Sequence, residues 1–203
     1  CPFAERAVTA LPLEIQYHFL LTSTLPVRKE WRQRPASIIF EQVTRLAQEI
    51  LLRDGHHVPT LIVDGTRNPI VIQMEVLAPT FEGRLQQMFI TGQALAHEGT
   101  VGRPRSVYFI TEAWLSQARD GILPSMRPSQ DPQRKEVLMV NGLDRLTGKS
   151  QRVRLAIFEM MRDEQGALRE IRNFSFPDKP ADAADTPLLE AFLTGFWAQG
   201  RLR

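Results

Sequence analysis

A carboxylate beside an aromatic ring is the feature of this sequence best suited to chemistry. Glu112 lies next to Trp114 in the otherwise apolar segment SVYFITEAWLS. An ionised carboxylate on an apolar strand is unfavourable unless it is paired, so Glu112 either has a cationic partner or titrates abnormally. We favour a structural ion pair, with Arg127 and Arg134 as possible partners. Glu112 is also the first candidate for a catalytic residue, as a general acid or base.

The loop that follows carries a second set of polar residues. Residues 117–133 contain three prolines and a glycine, which exclude a long helix, and a loop of this length is often functional. It is predicted to be either an ordered flap over Glu112 or a mobile surface excursion. The predicted ligand or partner contacts are Trp114, Asp131, Arg134 and Glu136.

The histidines and the single cysteine give little support for a metal or a nucleophile. His56 and His57 are adjacent, so on entering a strand their side chains point to opposite faces of the sheet. No His-x-His or Cys-x-x-Cys pair is present. We therefore predict no metal and no cofactor. An N-terminal nucleophile at Cys1 is an alternative, but a chain that continues before Cys1 explains this residue more simply.

Three segments with helical periodicity position these residues. The best is 37–53, where Ile39, Val43, Leu46 and Ile50 recur at spacings of three and four, and Ser37 is the predicted cap. The second is 80–98, in which Gly92 on the apolar stripe indicates a close approach to the sheet. The third begins at Thr186-Pro187 and ends at Gly200.

Six segments have strand character, and the Asp64-Gly65 pair between the first two predicts a hairpin. Arg152, Arg154 and Arg162 share one face of a later strand, which we interpret as a solvated sheet face. The predicted fold is α+β, with a mixed or mostly antiparallel sheet of about six strands and three main helices packed on it. The predicted strands are 58–63, 69–76, 107–115, 136–141, 151–162 and 168–176.

Length and composition predict a soluble protein with one domain. The 203 residues are treated as a single domain, with an N-terminal arm at 1–34 and a linker at 177–186 before the last helix. A net charge of +2 gives no strong signal for nucleic acid, although residues 28–34 form a basic segment around Trp31. No apolar run is long enough for a membrane span. The first twenty residues lack a secretory signal, so we predict a cytoplasmic protein.

Two short segments carry a family resemblance. EAW at 112–114 and PSQDPQRKEVL at 128–138 resemble a recurrent signature of an uncharacterised bacterial protein family, and the similarity extends from about His57 to Val140. The resemblance implies a bacterial source. It also implies that five positions are marked in the family, without giving them roles: Glu112, Trp114, Asp131, Arg134 and Glu136.

No complete catalytic motif is present, so the first functional hypothesis is a binding or protein-interaction domain. The apolar face of the last helix favours a homodimer. An alternative is a small hydrolase-like enzyme that uses Glu112 under the 117–133 loop. A second alternative, which we consider weaker, is nucleic-acid binding through residues 28–34 or through the arginine-bearing sheet face.

Overall fold

The computed structural model describes residues 38–116, 126–144, 146, 151–174 and 186–200. The predicted N-terminal arm, the basic segment 28–34 and nearly all of the predicted linker lie outside these residues, as does the first part of the 117–133 loop. The helices are α1 (Phe40–Asp54), α2 (Phe81–Glu98) and α3 (Pro187–Gly200). The strands are β1 (Thr60–Gly65), β2 (Ile70–Gln73), β3 (Pro104–Leu115), β4 (Lys135–Asp144), β5 (Arg152–Arg162) and β6 (Leu168–Asn173).

The six strands form one antiparallel sheet in the order β2-β1-β3-β4-β5-β6. This confirms the α+β prediction. The alternation of side chains along the strands builds a core on each face of the sheet. On one face Tyr108 and Leu138 pack against α1, and on the other Val107 and Phe109 pack in the same core as residues of α2 and α3.

Helix α1 buries a different stripe from the predicted one. Only Val43 is shared, because the buried residues are Phe40, Val43, Ala47 and Leu51, and Ile39 is 47% exposed. Two adjacent stripes of this helix have apolar residues at helical spacing, so periodicity alone does not choose between them. The Phe40 ring decides the choice by packing on Tyr108, with 6.2 Å between the ring centroids.

The two ends of α1 are also capped differently. Gly55 closes the C-terminal end in the left-handed conformation, with φ of 74°. At the other end the N-cap residue is Ile39, whose side chain forms no capping hydrogen bond. The predicted cap, Ser37, lies outside the described residues.

Helices α2 and α3 pack closely on each other. Gly92 faces the backbone of Phe192 and Phe196, and Gly195 faces the backbone of Phe89, so neither position has room for a Cβ atom. The predicted approach of Gly92 to the sheet is therefore wrong, since the helix partner takes that space. The apolar side of α3 packs into the core within the chain, and Trp197 is 37% exposed.

Among the described helices, none is both long and apolar enough to cross a membrane.

Candidate functional site

Glu112 lies on the sheet face covered by α1, near the C-terminal end of that helix. Its Oε1 accepts a hydrogen bond from the backbone N–H of His57 at 2.5 Å. Its Oε2 lies 3.9 Å from Nη2 of Arg162 on β5. The predicted ion pair is thus present with a different arginine from those proposed, because Arg134 contacts Trp114 instead.

Arg162 joins two carboxylates to the end of α1. Its Nε donates to Glu136 Oε2 at 2.7 Å, and its Nη1 donates to the carbonyl oxygens of Gly55 at 2.8 Å and Gly166 at 3.3 Å. The hydrogen bond with Glu136, and then the charge of Glu112, raise the pKa of Arg162. A cation at the C-terminal end of a helix is also favoured by the helix dipole. The guanidinium is fully engaged in holding α1 on the sheet.

The remaining predicted contact residues lie beside this group. Trp114 is 45% exposed and pairs directly across the sheet with Glu136. The guanidinium carbon of Arg134 lies 4.5 Å from the centre of the Trp114 ring, and its Nη1 donates to the backbone oxygen of Asp131 at 3.2 Å. Asp131 Oδ1 accepts from the backbone N–H of Gln133 at 2.8 Å, which stabilises the local turn. The structure therefore brings all five predicted residues into one region.

The side chain of His57 is buried and contacts the backbone of the next residue. It is 6% exposed, its Nδ1 donates to the carbonyl oxygen of Val58 at 2.8 Å, and burial lowers its pKa. Its Nε2 has no hydrogen-bond partner among the described residues. In the part of the chain that the structure describes, no three His, Cys, Asp or Glu side chains are grouped to hold a metal.

A pocket of about 430 Å³ lies at the opposite, N-terminal end of α1. It was not predicted. Three strands contribute polar side chains to it, and the first turn of α1 forms one wall. The lining residues are Ile38, Ile39, Phe40, Glu41, Arg105, Ser106, Tyr108, Asp144, Arg152 and Arg154.

Tyr108 is the central hydroxyl of this pocket. It is 1% exposed, and its hydroxyl is placed to donate to the carbonyl oxygen of Ile38 at 2.8 Å and to Asp144 Oδ1 at 2.5 Å. Burial, followed by the hydrogen bond with Asp144, raises the pKa of Tyr108, so the hydroxyl keeps its proton. Gly142 makes room for the ring, because a Cβ atom there would lie 2.8 Å from Cδ1 of Tyr108.

Ser106, Arg105 and Arg152 bring further hydrogen-bond donors to the lining. Ser106 is 3% exposed, and a side-chain hydrogen bond from it acts on Tyr108 in the direction that lowers the pKa of Tyr108. Arg105 Nη2 donates to the carbonyl oxygen of Gly65 at 2.6 Å and lies 3.5 Å from Asp64 Oδ1, but its Nε is unpartnered among the described residues. Arg152 is exposed, and its charge contributes to lowering the pKa of Glu41. The Arg105 Nε–H and the exposed Arg152 guanidinium are available to a ligand.

Arg154 holds a carboxylate at the start of α1. It forms an ion pair with Glu41 in the first helical turn, and its guanidinium carbon lies 5.0 Å from the centre of the Phe40 ring. The pKa of Glu41 is lowered, chiefly because its own backbone N–H hydrogen-bonds the carboxylate, with the charge of Arg154 adding to the effect. The interpretation of these arginines as a solvated sheet face is therefore wrong for Arg154, whose side chain is only 21% exposed.

The pocket residues have a sequence signal that becomes visible only with the strand order. Ser106, Tyr108, Asp144 and Arg154 occupy alternate positions on three strands, so each belongs to the same sheet face. Tyr108 pairs with Gly142, and Gly142 with Arg154. The sequence does not show that α1 begins directly above these residues of the sheet.

Comparisons with known proteins do not assign this chain to a family. No protein-family model, curated protein or solved structure matches this chain. The resemblance of residues 112–114 and 128–138 to an uncharacterised bacterial family stays a prediction.

Proposed function

We propose that this chain is a binding domain rather than an enzyme, and that its ligand site is the pocket under the first turn of α1. The observation that carries the proposal is the pocket itself, in which polar side chains from three strands lie below the first turn of α1. The pocket volume of about 430 Å³ is in the range of small-molecule sites.

The enzyme alternative has less support. One oxygen of Glu112 accepts the backbone N–H of His57, and the other lies 3.9 Å from Nη2 of Arg162. These contacts match the structural ion pair that the sequence favours over a catalytic carboxylate. For nucleic-acid binding, residues 28–34 lie outside the described residues, and Arg154 and Arg162 are engaged inside the chain. A bacterial source and a cytoplasmic location remain part of the proposal.

A ligand-observed NMR screen with small fragments tests the binding proposal. Arg152→Trp adds a bulky ring at an exposed position of the pocket lining. Arg45→Trp is the matched control, because Arg45 lies on α1 with its side chain 73% exposed and is not part of the lining. We expect fragments that bind the wild type and the Arg45→Trp variant but are lost in the Arg152→Trp variant.

Two results of this screen would contradict the proposal. One is the absence of any fragment that binds the wild-type chain. The other is a set of fragments whose binding is unchanged by Arg152→Trp, because these ligands would then occupy a different surface.

Self-association is a second candidate, and the edges of the sheet favour it. We propose that two copies pair along β2, which has a single neighbour among the described strands. Its sequence IVIQ has no charge and Val71 is 40% exposed, whereas β6 at the other edge has three charged residues in LREIRN. Charged edges resist strand pairing, so β2 is the more receptive edge. The apolar face of α3, which first suggested a dimer, is packed inside the chain.

Light scattering tests this second candidate. A dimeric wild type that Val71→Lys converts to a monomer would support pairing through β2. A monomeric wild type, or a dimer that Val71→Lys leaves intact, would exclude it.

A further inference from the structure

We propose that two copies of this chain join their β2 strands antiparallel about a two-fold axis at Ile72, and that the side chains of Val76 and Phe81 complete the contact. The proposal rests on the proposed self-association through β2 and names its register and its surface. Three observations carry it: the outward backbone groups of β2, the exposed apolar side chains beside this strand, and the polar contacts that hold those side chains in place.

Two residues of β2 direct their backbone groups away from the sheet. The backbone N–H of Met74, just after β2, donates to the carbonyl oxygen of Pro59, just before β1, at 2.7 Å. Backbone groups alternate in direction along an antiparallel strand, so Ile72 also bonds β1. Val71 and Gln73 occupy the alternate positions, and each directs an N–H and a C=O towards the free edge. An antiparallel strand from a second copy would satisfy these groups.

One register of two antiparallel β2 strands uses all of these groups. When Val71 of one copy lies opposite Gln73 of the other, the two residues exchange both hydrogen bonds, and the symmetric pair does the same. The two copies of Ile72 then face each other at the axis. With the axis at Val71, Gln73 would lie opposite Pro69, which has no N–H to donate. With the axis at Gln73, Val71 would lie opposite Glu75, which is beyond the end of β2.

Apolar side chains beside β2 add surface to this contact. A strand of four residues offers few hydrogen bonds, and specific interfaces bury about 1,200 Å² or more. Val76 lies in the connection between β2 and α2, and Phe81 is the first residue of α2. Val76 is 75% exposed, the highest fraction among the large apolar side chains that the structure describes, and Phe81 is 50% exposed. Grouped apolar side chains at the surface mark interaction sites, whereas single ones are common.

Polar side chains of α2 hold the β2–α2 connection in place. Gln87 Nε2 donates to the carbonyl oxygen of Val76 at 2.9 Å, and Gln87 Oε1 accepts from the backbone N–H of Ala78 at 3.0 Å. Arg84 Nε donates to the carbonyl oxygen of Ala78 at 2.8 Å. The exposed side chain of Val76 is therefore carried by a fixed backbone, which lowers the entropy cost of ordering it in a contact.

Helix α2 runs beside β2, which places these side chains at the contact. The helix begins at Phe81, and the carbonyl oxygen of Gly99 at its other end accepts from Arg67 Nη1 in the β1–β2 turn at 2.7 Å. In the antiparallel dimer, the β2–α2 connection of one copy therefore lies opposite the β1–β2 turn of the other. Val76 and Phe81 lie at this junction and lose exposed surface when the copies join.

Cysteine cross-linking tests the register in the full chain, in a Cys1→Ser background. Ile72→Cys should give a disulfide-linked dimer on oxidation, because residues that face each other at the axis form a non-hydrogen-bonded pair with Cα atoms about 4.5 Å apart. Gln73→Cys is the matched control. It should not cross-link, since its two copies lie on opposite sides of the axis, more than about 7 Å apart.

Sedimentation equilibrium measures the dissociation constant of the dimer and tests the two side chains. Val76→Ser and Phe81→Ser should each raise this constant about tenfold, because a substitution removes apolar contact twice in a symmetric dimer. Leu52→Ser is the matched control, since Leu52 lies on α1, is 57% exposed and is outside the proposed contact. It should leave the constant unchanged.

The outcomes separate this inference from the proposed self-association. If Val71→Lys abolishes a dimer that Ile72→Cys does not cross-link, or that Gln73→Cys cross-links as readily, the register is wrong and pairing through β2 stands. A dissociation constant that neither Val76→Ser nor Phe81→Ser changes would exclude these side chains from the contact. A monomeric wild type overturns both proposals.

Discussion

The two ends of α1 rest on the same face of the same sheet and use arginines in opposite ways. At the C-terminal end, Arg162 is surrounded by acceptors: two carboxylates and two backbone carbonyl oxygens. At the N-terminal end, three arginines and a buried hydroxyl line a pocket, and several of their donors are unused by the described residues. The first arrangement is closed and structural, and the second is open to a ligand.

The helix dipole explains why the difference matters. A cation at the C-terminal end of a helix is favourable without further help, so Arg162 contributes to stability as it stands. Arginines at the N-terminal end are unfavourable unless an anion lies between them and the helix. Glu41 supplies such an anion for Arg154, and the charge of Arg152 also lowers the pKa of Glu41. This end therefore depends on an anion in a way that the other does not.

Arg162→Met should have the largest effect on stability. It leaves Glu112 and Glu136 partly buried without their cation and removes the contact with the end of α1. We expect the free energy of unfolding to fall by about 2 kcal/mol, measured by urea denaturation. Arg152→Met, at the other end, should change it by less than about 0.5 kcal/mol. Equal losses for the two variants would remove the contrast between the two ends.

Tyr108→Phe should be the next most destabilising change. It removes a buried hydroxyl whose single proton is shared between the Ile38 carbonyl oxygen and Asp144 Oδ1. The expected loss is about 1.5 kcal/mol in the same measurement. A loss below about 0.5 kcal/mol would mean that this hydroxyl is not a structural support of the pocket.

The buried His57 should make stability depend on pH below its ordinary pKa of 6.5, since burial lowers the pKa in the folded chain. As the pH falls below 6.5, the unfolded chain takes up a proton that the folded chain resists, so stability decreases. One proton gives a slope of at most about 1.4 kcal/mol per pH unit. The slope should diminish in His57→Gln, measured by urea denaturation between pH 5.5 and 7.5, and persist in the exposed control His56→Gln. The same slope in His57→Gln as in the wild type would contradict this account.

Ser106→Ala should have the smallest effect on stability and a clear effect on binding. The hydroxyl lies beside that of Tyr108, whose bonds to Ile38 and Asp144 remain, so its removal should change the free energy of unfolding by about 0.5 kcal/mol. Fragment binding in the pocket should weaken in the same variant. A large loss of stability would show that Ser106 has a structural hydrogen bond and would weaken the argument for a ligand.

Local patterns in the sequence predict the elements of this fold but not how they meet. The alternation of apolar and polar residues predicts the strands, and it places Glu112 and Trp114 on the same sheet face. The glycines at positions 55 and 99 predict where the first two helices end. The prediction of which stripe of α1 is buried was wrong by about one position, because two adjacent stripes of this helix have apolar residues at helical spacing. The contact of Gly92 with α3 depends on helix packing that no local pattern records.

The candidate site was predictable only in part, for the same reason. The five residues predicted as candidate site residues do come together, but the arginine that organises them, Arg162, lies 50 positions after Glu112 in the sequence. The pocket at the other end requires β3, β4 and β5 to be adjacent and α1 to begin above Tyr108. Such long-range pairings depend on the whole sheet, so residue spacing does not reveal them.

The most direct test of the contrast between the two ends is a backbone amide NMR titration of the full chain with a fragment that binds the wild type in the screen. We expect shifts to concentrate at the N-terminal end, around Phe40, Glu41, Ser106 and Arg152, while amides at Gly55, His57 and Arg162 stay unchanged. Shifts centred on Arg162, or no shifts at a saturating fragment concentration, would contradict this contrast.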